Sequence, residues 1–180
     1  MTHSVTGTAA AVGQTRVVLD AELLATAERA GTLLRERGET VGVAEGSCGG
    51  LVSAALLAVP GASAYYAGGA VIYTLAASKA FLAGAVATPP GLRGATEGFA
   101  SYLARSAVVR LEATWGIGEG GAAGPTGNRY GDPAGHAWVA VAGPAEATRH
   151  VLTGSDDRLA NMTAFAIAAL GLLGEQLASA

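Results

Sequence analysis

The chain of 180 residues has a single cysteine, Cys48, and a single lysine, Lys79. One cysteine excludes an intramolecular disulfide and any cysteine-based zinc cluster. Histidine is almost as scarce. His3, His136 and His150 stand far apart without metal-ligand spacing, so neither a metal nor another cofactor is expected. Basic runs are missing too. Ten arginines are scattered along a chain of net charge −3, which leaves no patch to track a phosphate backbone, and no nucleic-acid partner is expected. Apolar stretches are broken by Gly, Pro, Ser or a charge before the roughly 20 residues a bilayer requires, so no membrane span is expected. Met1–Gln14 lacks the basic start and apolar block of a signal peptide. The reading is therefore a flexible tail over 1–18, one domain over 19–180, and a cytoplasmic compartment.

Against these absences, the lone lysine is informative. A GC-rich genome accounts for ten arginines but not for the lysine that remains. Lysine loses its proton when desolvated and arginine effectively does not, so Lys79 points to lysine chemistry.

Periodicity organises the chain. Asp20–Gly38 reads as an amphipathic helix, with Leu23, Ala27, Ala30 and Leu34 on one face, Asp20 as its cap and Gly38 as its stop. Thr40–Ala44 is a short buried strand, Glu45–Gly50 a turn, and Leu51–Ala58 a helix stopped by Val59-Pro60-Gly61. Tyr66–Thr74 reads as a strand, Leu75–Ala83 as a short helix and Thr96–Glu112 as a longer one. Gly116–Gly135 is dense in glycine and reads as a functional loop. His136–Ala142 and Thr148–Thr153 form an antiparallel pair. Ser155 or Asp156 caps a last helix reaching about Leu177, with Met162, Phe165, Ala169 and Leu172 inward. Trp115 and Trp138 read as core, and His136 and His150 as ordinary strand histidines. Strands alternating with helices predict a three-layer α/β/α domain with a mixed central sheet.

Three places carry candidate chemistry. The strand-turn-helix at Thr40–Ala58 would offer free backbone N–H groups to a phosphate or an oxyanion. It places Ser47 and Cys48, either of them a possible nucleophile, at the helix start. It is neither a Walker loop nor a dinucleotide fingerprint. Tyr73 and Lys79 are the second place, because a neutral lysine serves as base to a serine in the Ser-Lys variant of the triad. The third is the glycine-dense loop. There Arg129 would grip a phosphate, Asn128 would bond a ribose or an amide, and glycines allow close approach to a ligand.

Taken in order, these segments resemble the CinA C-terminal domain family. Ala44-Glu45-Gly46-Ser47-Cys48-Gly49-Gly50-Leu51 is similar to its Ala-Glu-Ser-Cys-Thr-Gly-Gly-Leu signature. Val59–Ala64, Gly68–Tyr73, Lys79 with Gly84, Ala123-Gly124-Pro125 and Gly154–Arg158 resemble its later motifs. The resemblance implies a nicotinamide-nucleotide amidohydrolase, which converts nicotinamide mononucleotide to nicotinate mononucleotide and ammonia by a Ser-Lys type mechanism. It implies a homodimer and a small-molecule nucleotide substrate. Carried onto this chain, it makes Ser47, Tyr73 and Lys79 catalytic. Glu45, Cys48, Gly49, Gly50, Gly124, Thr126, Asn128, Arg129 and Arg158 become substrate-binding. The register also differs from the family's. Gly46 stands at the family's serine, Ser47 and Cys48 at its Cys and Thr, and Gly120 at a common threonine. The alternative expectation is a catalytically impaired member that binds a nucleotide or a partner protein.

Overall fold

A computed structural model describes residues 19–180; the expected tail at 1–18 lies outside them. The elements run α1 (Ala21–Arg37), β1 (Val41–Glu45), α2 (Leu51–Ala58), β2 (Tyr66–Val71), α3 (Leu75–Leu82), α4 (Glu97–Leu111), β3 (Trp115–Ala122), β4 (His136–Ala142), β5 (Ala147–Leu152) and α5 (Arg158–Ser179), with a 3-10 turn at Ala62–Ala64. The strands form one sheet in the order β2-β1-β3-β4-β5. β1 is parallel to both β2 and β3, while β3–β4 and β4–β5 are antiparallel. The sheet is therefore mixed, as the sequence predicts.

Local chemistry explains the boundaries. The Asp20 carboxylate accepts from the Glu22 and Leu23 N–H groups, and Gly38 closes α1 in the left-handed region at φ 65°. Thr74 and Thr96 cap α3 and α4 in the same manner as Asp20. β2 ends at Val71, short of the expected Thr74, because Thr74 is spent as that cap. The last helix is capped by Asp157, which accepts from the Ala160 N–H at 3.0 Å, and not by Ser155 or Asp156. The Ser155 hydroxyl oxygen instead accepts from the Asp157 N–H.

The largest correction concerns Gly116–Gly135. Its first half is no loop. Trp115–Ala122 is the central strand β3, paired on both sides and buried along most of its length. The glycines there serve close approach rather than mobility. Alternation along the strands makes two unlike faces. Val41, Val43, Trp115, Ile117, Val139 and Val141 point into a thick core with α1, α2 and α5. Gly42, Gly116 and Gly118 point the other way, under α4. A Cβ at Gly116 would lie 2.1 Å from the Ala104 carbonyl oxygen, and one at Gly118 would lie 1.9 Å from that of Ala100. Helix α4 rests directly on the strand backbone, with Ala100 and Ala104 filling what little space remains.

α5 is long and apolar enough to reach across a bilayer by length and composition alone. Here its Phe165, Ala166, Ala169, Leu170, Leu172, Leu173 and Leu177 are buried in the thick core. Of the expected inward face, Met162 is only partly buried. Trp138 is likewise partly exposed, stacked on His150 at 5.0 Å between ring centres.

Gly118→Ala is expected to destabilise the fold by about 1–3 kcal/mol or more, since the methyl group meets backbone and not a movable side chain. A drop in the urea midpoint of unfolding measures it.

Candidate functional site

The strand order puts the site where it is. β1 connects to β2 through α2 on one face of the sheet. β2 connects to β3 through α3 and α4, passing over β1 to the other face. Such a reversal opens a crevice at the carboxyl ends of the two strands on either side of it. There Glu45 ends β1 and runs into Gly46-Ser47, and Glu119-Gly120-Gly121 form the second half of β3, with Glu45 and Glu119 directly paired in register.

A cavity of about 980 Å³ opens at this crevice. Gly46, Ser47, Gly120 and Gly121 form its floor. Tyr73 and Lys79 line one side, Arg93 and Phe99 another, and Asn128, Arg129 and Tyr130 the rim. The fold thus brings together residues from all three places singled out in the sequence. Ser47 is buried, while Tyr73 and Lys79 are exposed.

The turn itself is not an open anion cradle, contrary to the sequence-based expectation. Two buried glutamates have taken its donors. Glu45 Oε2 accepts from the N–H groups of Gly50 and Val52 at 3.0 and 3.1 Å. Its Oε1 accepts from the N–H and hydroxyl of Ser53 at 3.1 and 2.7 Å. Leu51 N–H goes to the Cys48 carbonyl. The N-terminus of α2 is therefore filled from within, and Gly50 caps it without a side chain at φ 105°. Glu119 does the same for the turn proper. Its Oε2 accepts from the Gly46 and Cys48 N–H groups at 3.0 and 2.9 Å, and its Oε1 accepts from the Ser47 hydroxyl.

Several expected substrate contacts therefore lie elsewhere. Glu45 is wholly buried and spent on the helix start. Cys48 is wholly buried in the thick core. Burial above all, then the negative charges of Glu119 and Glu45, push its thiol well above the ordinary range. A thiolate nucleophile there is disfavoured, which separates Ser47 from Cys48. Gly49 is exposed beside Met162, Gly50 is half-buried, and neither lines the cavity. The Gly124 carbonyl accepts from Arg158 Nη1 at 2.6 Å, and Arg158 Nη2 reaches the Tyr73 hydroxyl at 3.4 Å. Arg158 thus ties the loop to the cavity edge. Thr126 is exposed, and neither it nor Gly124 lines the cavity.

The rim loop is ordered by its own polar groups. Asn128 Oδ1 accepts from the Tyr130 and Asp132 N–H groups, and its Nδ2 donates to Asp132. Asn128 is thus committed to shaping the loop. Arg93 donates to Asp132 at 2.7 Å, and the Arg93 and Arg129 guanidinium groups lie 5.0 and 4.9 Å from the Tyr130 ring centre. Sequence reasoning missed Arg93, whose surroundings carry no motif; its partner lies 39 residues away. It counted Glu119 among the polar residues of a functional loop, and not as a buried strand residue against Ser47. His136 Nε2 donates to the Ala95 carbonyl at 2.9 Å, and His150 Nε2 lies 2.9 Å from the other ring nitrogen of His136. Among the described residues no group of three or more His, Cys, Asp or Glu could hold a metal ion.

Two outcomes follow from this geometry. Iodoacetamide is expected to leave Cys48 unmodified in the native protein and to modify it once denaturant is added, as read by intact mass. The Asp132 carboxyl is held down at about 2, chiefly by the hydrogen bond from Arg93 and then by that from Asn128. Its contribution to stability is complete above the unfolded value near 3.9 and is lost as pH falls toward 2. Arg93→Ala should move its NMR titration midpoint upward.

The sequence profile of the CinA C-terminal domain family matches residues 23–177. A CinA-like protein of Prochlorococcus marinus is 42% identical over 62% of this chain and 26% of its own length. One from Desulforapulum autotrophicum is 31% identical over 90% of this chain and 38% of its own length. The chain thus spans roughly a quarter to two fifths of these relatives. Among solved structures, a competence-damaged protein (CinA) superfamily protein from Klebsiella pneumoniae superposes with a TM-score of 0.80 at 27% identity, covering 88% of this chain and 99% of that one. The competence/damage inducible protein of Agrobacterium tumefaciens gives 0.81 at 25% identity, covering 91% and 99%. The chain belongs to the CinA C-terminal domain family.

Proposed function

We propose that the protein hydrolyses the carboxamide of a nicotinamide nucleotide, nicotinamide mononucleotide in the first instance, to the carboxylate and ammonia. The observation that carries this reading is that one cavity is lined by Ser47, Tyr73 and Lys79 together with the cations Arg93 and Arg129. Amide hydrolysis requires a nucleophile, proton-moving groups and a means of holding the developing oxyanion. Ser47 attacks the carboxamide carbon in a Ser-Lys type site, with Lys79 and Tyr73 lining the same cavity. The α2 amides are already spent on Glu45. The oxyanion therefore falls to the side chains of Lys79 and Tyr73. The substrate phosphate meets Arg129, whose planar guanidinium matches phosphate geometry. No cofactor takes part. The same reading makes the protein cytoplasmic and a homodimer.

A second reading, a family member that binds a nucleotide without turning it over, has one observation in its favour. Gly46 and Gly120, adjacent on the cavity floor, carry no hydroxyl. A Cβ at Gly46 would sit 3.8 Å from the Gly120 Cα, and one at Gly120 would meet the Phe99 ring at 2.8 Å.

Ammonia release from nicotinamide mononucleotide decides between them. Hydrolysis is expected, with kcat/KM reduced about 10²–10³-fold in Lys79→Ala, which removes an oxyanion donor. Arg129→Ala should raise KM with kcat little changed. A thermal shift with the nucleotide but no ammonia would favour the binding reading.

A further inference from the structure

Ser47 must give up a proton to attack, and its hydroxyl already points at an acceptor. That acceptor is not Lys79, which is exposed and makes no hydrogen bond or ion pair among the described residues. It is Glu119 Oε1. We propose that Glu119 is the catalytic base that takes the Ser47 proton. This rests on the amidohydrolase reading and moves the proton-accepting role of its Ser-Lys site from Lys79 to Glu119.

Glu45 and Glu119 make an internal comparison. Both are fully buried at the carboxyl ends of neighbouring strands. Both oxygens of Glu45 are engaged by backbone N–H groups, which is what a structural cap requires. Glu119 is divided. Its Oε2 takes the two backbone donors, which lock the carboxylate in place. Its Oε1 accepts the Ser47 hydroxyl, and Ser47 lines the cavity. None of the ion pairs among the described residues involves Glu119. The groups facing it are Glu45 from β1 and Cys48 and Ser47 from the turn. Burial raises its carboxyl above the usual range, the Ser47 and Cys48 hydrogen bonds oppose this, and Glu45 adds to the rise. A raised carboxyl is the direction a general base at neutral pH requires.

The steps balance without a co-reactant other than water. Oγ bonds to the carboxamide carbon as the hydroxyl proton moves to Glu119 Oε1, and the carbonyl pair moves onto oxygen. Collapse breaks the C–N bond, and the proton passes from Glu119 to the departing nitrogen as ammonia. Water then attacks the acyl-Ser47 carbon, giving a proton to Glu119. Oγ leaves and recovers it.

The test uses diisopropyl fluorophosphate, which reads serine activation whatever the natural substrate. Wild-type protein should be phosphorylated at Ser47 with loss of fluoride, mapped by peptide mass. Labelling should slow about 100-fold or more in Glu119→Gln, whose amide oxygen still accepts from the Gly46 and Cys48 N–H groups. In wild type the rate should rise with pH through a single acid ionisation. Should Glu119→Gln fail to fold, that wild-type profile stands as the test, and a rate flat with pH overturns the proposal. Unlabelled Ser47 in wild type overturns it as well. So does labelling that persists in Glu119→Gln but is lost in Lys79→Ala. Labelled Ser47 without ammonia from nicotinamide mononucleotide would overturn the substrate and leave the base standing.

Discussion

The site depends on how the turn from β1 to α2 disposes of its backbone N–H groups. A tight turn followed by a helix start exposes many donors at once, and here they lie beneath the surface. Glu45 and Glu119 answer them from below. Alternation along β1 and β3 points both carboxylates to the same side of the sheet, and the parallel register sets them side by side. Burying two like charges is costly unless hydrogen bonds compensate. The donors of residues 46–53 supply that compensation. In return the turn is fixed, and Ser47 with it.

This arrangement changes what the helix start is for. A glycine-rich turn before a helix ordinarily invites an external anion. Here the chain's own carboxylates occupy that role, and the side-chain cations that remain are those around the cavity. Lys79, Arg93 and Arg129 come from α3, the segment before α4, and the rim loop.

The other face of the sheet serves the same end by removing side chains. Gly116 and Gly118 let α4 lie on β3, so that its first turns bring Phe99 and Tyr102 to the cavity wall. Gly46 and Gly120 continue this smallness onto the floor. Phe99 occupies the space a side chain at Gly120 would need.

Much of this was legible in the sequence. Periodicity and caps located α1, α2, α4 and α5, and the order of short motifs indicated the family. Ser47, Tyr73, Lys79 and Arg129 were singled out from residue type alone. These are local properties, carried by neighbours within a few positions. Glu119 was not legible as part of the site, because glycine density made a buried central strand look like a loop. Its meeting with Ser47 spans 72 residues and exists only because the strand order sets β3 against β1. Nor could the sequence show that the α2 amides were already taken. Only the tertiary structure decided that, by bringing a second carboxylate under the turn, and it turned an apparent anion cradle into a fixed platform for one hydroxyl.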